Sequence, residues 1–446
     1  MANVRTEVDR GSSERRLDGF ALALERRRFR RLILAIAGAA IGLQYVWQTL
    51  ITPAFLPGKA PVDFFEDYVG SARLMLSGID PYSVCHTRAC WTDLANTASV
   101  YPPVVTWLSL PMANLDQTLL GDAALVAMQI CVAVFLVAVL TALQVRDKQA
   151  IAALALVTIA FPPLIGEIVE RNLEVLLLAL SGVWLAGWVL GDRWWSGAAL
   201  GFGLALKLVQ APALFLGLWC RRWVTSVAAL LVFALLWAVG APQYLPEFVS
   251  KVLPGFNTGT GFAMDVAPVS TLARLLHPAS LYGFGSGVDL TVRILAYLFT
   301  AAVVVITVAA IGAPRSDRSG KALEAAAVVA ATPLVLAVVR PGHLLLLLLP
   351  LAVLGIEGVR RSDWGAVLGL AISWALMGPV YLVFSNILAA GIGLPWTRPG
   401  EETALAGAVL LWVLSLRALR TSTTSSVRGR SLLASRFFLH RAPSSS

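Results

Sequence analysis

Charge is scarce in this chain. Asp, Glu, Lys and Arg make up 14% of its 446 residues, against 58% hydrophobic, and the mean hydropathy is +0.76. That balance excludes a soluble globular domain. Acids are scarcer than bases, 26 against 35, which leaves a net charge of +9. The excess is not a nucleic-acid signal, because it falls at the ends of apolar runs and in the two tails. There are four cysteines and four histidines. No cluster has metal-ligand spacing, so neither a metal nor another cofactor is expected. No fixed-period repeat is present.

What the chain does have is apolar runs of membrane-crossing length. They predict an all-α polytopic membrane protein of about 10–12 transmembrane helices in one domain over residues 32–420. Basic tails at 1–31 and 421–446 flank it and read as cytoplasmic by the positive-inside rule. The polar start and the missing small-residue cleavage site make 33–51 a retained span rather than a cleaved signal. With Lys and Arg held inside, 33–51 leads out and 52–101 is the first external loop. Runs 121–144, 149–166 and 172–190 then alternate. Segment 195–219 is too short to cross twice and breaks at KLVQAP (207–212), which predicts a hairpin dipping toward the external side. Run 222–240 leads to a second external loop, 241–289, and 290–312, 322–339, 344–357, 363–385 and 403–418 complete the bundle. YPPVVTWLSLPMANL (101–115) is short, holds three prolines and reads as re-entrant or as packing under the membrane surface. This topology places residues 52–101 and 241–289 on the external side.

The unusual polar residues then share the external side: DFFEDY (63–68), ERNLE (170–174), Lys207 and RPGH (340–343). An ionisable residue in a span costs roughly 2.5–3.5 kcal/mol on insertion scales, so their concentration on one face predicts a polar site there. Residues 63–77 carry apolar positions at helical spacing and predict an interfacial amphipathic helix. Asp63 opens it and Asp67 shares its face. Cys85 and Cys90 share the first external loop, where a local disulfide fits an oxidising compartment. Cys131 and Cys220 lie in apolar spans as inert packing residues.

The order of an Asp opening an interfacial helix, a Tyr, G-x-D-P-Y (Gly78 to Tyr82) and Y-P-P (Tyr101 to Pro103) resembles the bacterial GT-C glycosyltransferases that use polyprenyl-phosphate mannose or arabinofuranose. ERNLE (170–174), GLALKLVQAP (203–212) and RPGHLLLLLLPL (340–351) are similar to further family motifs in the same order. The family's Gly-Gln-x-Asn form is absent at 170–174, and Arg340-Pro341-Gly342 replaces the usual residues before the His. The resemblance spans about 33–420 and implies a GT-C-like fold. It also implies transfer of a sugar from a polyprenyl phosphate to a glycolipid or glycan hydroxyl on the external side.

In that chemistry the leaving group is already an anion, so it calls for cations, while the acceptor hydroxyl calls for a base. The resemblance makes Asp63 the candidate base, and Lys207, Arg171, Arg340 and His343 the candidate phosphate ligands. Asp67, Tyr68, Tyr82, Tyr101, Asn172 and Glu174 are left as candidates for the sugar or acceptor. Each has a plainer reading. Asp63 suits a helix N-cap, Lys207 a snorkelling side chain, Arg340 an interface anchor and His343 a cap for the next span. Arg171 suits neutralisation of Glu167, Glu170 or Glu174. No Walker loop or Rossmann fingerprint points to a nucleotide-sugar donor. A transporter or flippase is the competing class; it predicts related halves and midplane polar residues, and the chain shows neither.

Overall fold

The computed structural model describes residues 35–55, 63–82, 99–254, 265–277, 288–389 and 402–439, with side chains to residue 422 in the last stretch. Among these residues every regular element is helical. The 1–31 tail and both Cys85 and Cys90 lie outside the described residues.

Helix α1 is Ala35–Ile51. A π-helical turn, Asp63–Gly70, runs into Ser71–Leu76, and the two together form α2. On α2, Phe64, Tyr68, Val69 and Ala72 are buried, whereas Leu76 is exposed. Short α3, Pro103–Ser109, follows the Pro102-Pro103 pair. Then come α4 (Gln117–Leu143), α5 (Lys148–Ile159), α6 (Pro162–Val169), α7 (Glu174–Leu190), α8 (Trp194–Leu206), α9 (Ala211–Trp219) and α10 (Trp223–Val239). The second half holds α11 (Pro268–Leu276), α12 (Leu290–Ile311), α13 (Arg318–Val335), α14 (Leu348–Arg360), α15 (Trp364–Ala375) and α16 (Thr403–Leu439).

Five of the described helices are long and apolar enough to cross a membrane, or seven if two bent pairs are each one span. The other apolar helices are 10–17 residues long, so the described residues show fewer full-length crossings than the 10–12 expected. Run 149–166, read as one span, is two helices bent by 59°. Pro162 and Pro163 explain the bend: proline lacks the N–H that α5 would need, and Phe161 before it is extended. The last helix does not stop near residue 420 but continues to Leu439.

Small residues set the packing of the dipping hairpin. A Cβ on Gly197 would stand 2.1 Å from the Thr225 oxygen, and one on Gly201 would stand 2.3 Å from that of Ala229. α8 therefore lies directly on the backbone of α10. A Cβ on Gly217, near the end of α9, would meet Ser226 Oγ at 2.6 Å. The start of α8 and the end of α9 thus both meet the start of α10, which makes α8–α9 a hairpin with its tip at Lys207.

Candidate functional site

The tip is irregular backbone. Lys207 is extended (φ −159°, ψ 124°), and a single 3-10 turn, Leu208–Gln210, leads into α9. Gln210 holds it: Nε2 donates to the Leu177 oxygen (3.0 Å) and to Ser181 Oγ (2.9 Å) on α7. Trp237 of α10 donates to the Ala205 oxygen at 3.2 Å, bracing the last turn of α8. A helix break interrupts main-chain hydrogen bonding, and side-chain contacts with neighbouring helices support the chain around it.

Three of the expected site residues meet at this tip. Lys207 Nζ pairs with Glu174 Oε1, on the first turn of α7. His343 Nε2 lies 3.7 Å from the same oxygen. About a fifth of the Lys207 side chain is exposed, while Glu174 is 3% exposed, so the cation is the accessible member of the pair. Glu174 Oε2 is buried without a hydrogen-bond partner among the described residues. His343 begins the segment that runs into α14. Its Nδ1 accepts the Arg340 main-chain N–H at 2.8 Å, so the ring proton sits on Nε2, facing Glu174.

Aromatic residues build one wall. Lys207 Nζ stands 5.2 Å from the centroid of the Tyr101 ring, a cation–π distance. Tyr68 of α2 meets Tyr101 edge-on with centroids 5.0 Å apart. Tyr68 donates to Asn172 Oδ1 at 2.7 Å and accepts the Leu173 N–H at 3.2 Å. Tyr82 is buried and donates to the Tyr101 oxygen at 2.6 Å; burial pushes its hydroxyl well above the usual phenol range. The Tyr68 contacts tie α2 to the start of α7. The backbone of Asp63 opens α2, while its side chain lies outside the described residues. Asp67 is half-buried on the same helix.

Arg171 is engaged elsewhere. It sits at φ 51°, the left-handed position that usually belongs to glycine where a helix ends. The Asn172 N–H to Glu167 oxygen bond (2.9 Å) closes that turn. The Arg171 guanidinium donates to the Val169 oxygen at 2.6 Å and to the Gly121 oxygen at 3.5 Å. Burial lowers its pKa, while Asp122 and Glu170 favour its charge. Its surroundings therefore suit the plainer reading, a cation balancing local acids and carbonyls. Glu174, grouped with the sugar and acceptor ligands in the sequence reading, instead pairs with Lys207.

At the helix break a partly accessible lysine is thus paired with a buried carboxylate, beside a histidine. The family comparison assigns the class. The model of Glycosyltransferase family 87 matches residues 100–341. The chain belongs to that family and is a membrane glycosyltransferase. No curated protein matches the chain. Among solved structures it is similar to the crystal structure of ArnT from Cupriavidus metallidurans bound to undecaprenyl phosphate, at 15% identity and a TM-score of 0.41, over 86% of this chain and 77% of that one.

Proposed function

We propose that the chain moves a sugar from a polyprenyl-phosphate donor to an acceptor hydroxyl of a cell-envelope glycolipid or glycan, at the external face of a bacterial plasma membrane. Mannosyl is the favoured sugar and arabinofuranosyl the second. The observation that carries this reading is the Lys207–Glu174–His343 cluster, whose lysine is paired but still accessible.

In the reaction, the bond between sugar C1 and the phosphate oxygen breaks, and the electron pair leaves with the phosphate. Lys207, with Arg340 and the His343 Nε2–H, binds the charge that gathers there. The acceptor oxygen bonds to C1 and its proton passes to Asp63. Glu174 holds Lys207 in place before the donor arrives and yields it to the phosphate. Tyr68, Tyr101, Tyr82, Asn172 and Asp67 line the sugar and acceptor side. Arg171 supports the α6–α7 turn rather than the phosphate.

The test is incubation of purified protein with polyprenyl-phosphate mannose, polyprenyl-phosphate arabinofuranose and bacterial lipid extract, followed by mass spectrometry of the lipid and glycan fractions. A hexose or pentose increment is expected with one donor. No increment with either donor, together with transfer from a soluble nucleotide sugar, would overturn the reading.

A further inference from the structure

Asp265 lies just before α11 and is fully buried. Its Oδ1 accepts two main-chain N–H groups, from Ala267 and from Val339, each at 2.9 Å. Val266 donates in turn to the Val339 oxygen at 2.8 Å. The second external loop is thereby stitched to the residue before Arg340, whose own N–H fixes the His343 ring. Arg274 of α11 donates to the Asp265 main-chain oxygen at 2.9 Å. It also grips Glu402, ahead of α16, at 2.7 and 3.0 Å.

The second carboxylate oxygen separates two roles. Oδ2 is buried and has no hydrogen-bond partner among the described residues. An asparagine would accept both amides through Oδ1 without the cost of burying a charge. Burial does lift the Asp265 carboxyl, up to about 6, against the pull of the two amides, Arg340 and Arg274. The Arg340 and Arg274 charges thus favour the ionised form of a carboxylate that also holds the main chain at Val339.

We infer that Asp265 is a positioning residue for glycosyl transfer: it fixes the Val339–Arg340 main chain, and with it the Arg340 charge, in register with His343, Glu174 and Lys207. The inference rests on Arg340 and His343 being donor-phosphate ligands.

The experiment uses the full chain in detergent with undecaprenyl phosphate as the probe. Asp265→Asn keeps both amide bonds and stays folded. Its affinity for the probe falls about tenfold, the scale of one charge-assisted contact. In an Arg340→Ala background the same change alters affinity less than about twofold, since residues acting through one another are not additive. Equal losses in both backgrounds, or no loss with Arg340 present, would overturn the electrostatic role. Hydrogen exchange supplies the second arm. Asp265→Ala speeds exchange in a peptide spanning 337–343 by about tenfold or more while leaving α4 unchanged. Unchanged exchange at 337–343 would overturn the main-chain role. Unchanged affinity in Arg340→Ala alone refutes Arg340 as a phosphate ligand, which is a failure of the functional reading, and the exchange arm still decides whether Asp265 holds this segment.

Discussion

Two buried glutamates at opposite ends of the bundle use their oxygens differently. At the Arg360 end, Glu357 binds with both oxygens: Oε1 to Arg360 at 3.1 Å, and Oε2 to Arg361 at 3.3 Å and Ser319 at 2.7 Å. Around it Arg360 also caps the end of α4 on the Leu143 oxygen, and Asp363 caps α15 while meeting Arg417. These are helix ends being closed, and each contact satisfies the fold. At the Lys207 end, Glu174 holds one lysine with one oxygen, and its other oxygen has no hydrogen-bond partner among the described residues. The cation it holds is partly open. A closed network stabilises, whereas an incomplete one with an accessible cation can exchange partners. Of these two glutamates Glu174 is the less completely satisfied, a state shared by Glu324 near the Arg360 end, whose Oε2 is also buried without a hydrogen-bond partner among the described residues.

The largest expected effect breaks the chemistry while sparing that pairing. Asp63→Asn should lower turnover by on the order of 10²–10⁴-fold, the usual worth of a general base, with donor affinity kept. Steady-state transfer and donor binding check it. Near-normal transfer in Asp63→Asn together with its loss in Asp67→Asn would move the base to Asp67.

Lys207→Ala strikes the pairing directly. Donor affinity should fall by roughly one to two orders of magnitude, as one charge-assisted phosphate contact of about 1.5–3 kcal/mol is lost. The variant should also melt at lower temperature, because Glu174 is left as an unpaired buried carboxylate. Adding Glu174→Gln should restore the melting temperature but not the affinity. Recovery of both would make the pair purely structural, like its counterpart around Glu357.

A pH series sharpens the same contrast through Asp265. Its folded pKa of about 6 lies above the ordinary carboxylate value, so the folded state binds the proton more tightly than the unfolded chain does. Ionisation of this group therefore costs stability above pH 6, and the cost fades as pH falls from about 6 toward 4. The charges facing it are Arg340 from the segment before α14 and Arg274 from α11, with Glu402 beyond Arg274. Wild type should gain melting temperature relative to Asp265→Asn between pH 7.5 and 5. A constant difference across that range would contradict the raised pKa.

Arg361→Ala should do least. Its side chain is 34% exposed, and exposed ion pairs contribute at most about 1 kcal/mol. Transfer should be unchanged and melting nearly so. A large loss of transfer would mean that the two ends are coupled.

The hydrophobic runs and the Arg and Lys at their ends made the helical bundle legible in the sequence. The break at Lys207 was legible too, because a charge followed by Pro212 interrupts an otherwise apolar segment. The break before Pro162 carried a plain signal in its two prolines, but the apolar run around it reads equally as one span. Pairings between distant segments were not legible. Glu174 and Lys207 are 33 positions apart, and no local pattern distinguishes a carboxylate that holds a lysine from one that awaits a sugar. Asp265 sits in a Gly- and Pro-rich loop and binds main-chain amides, which leave no mark in side-chain sequence. The carbonyl contacts of Arg171 were not legible either, because main-chain oxygens leave no mark in the sequence.

The ring of His343 carries a further consequence. With Nδ1 occupied by the Arg340 amide, the imidazole is a one-way contact that offers a proton-bearing nitrogen to the cluster and no lone pair. It can steady an arriving anion, but it cannot collect a proton from an incoming hydroxyl. Proton removal must then be delegated to another part of the chain. On the proposed roles, charge reception and proton removal would therefore sit on separate segments, the 3-10 segment Pro341–Leu347 and α2, and substitutions in one should leave the other's step measurable by itself.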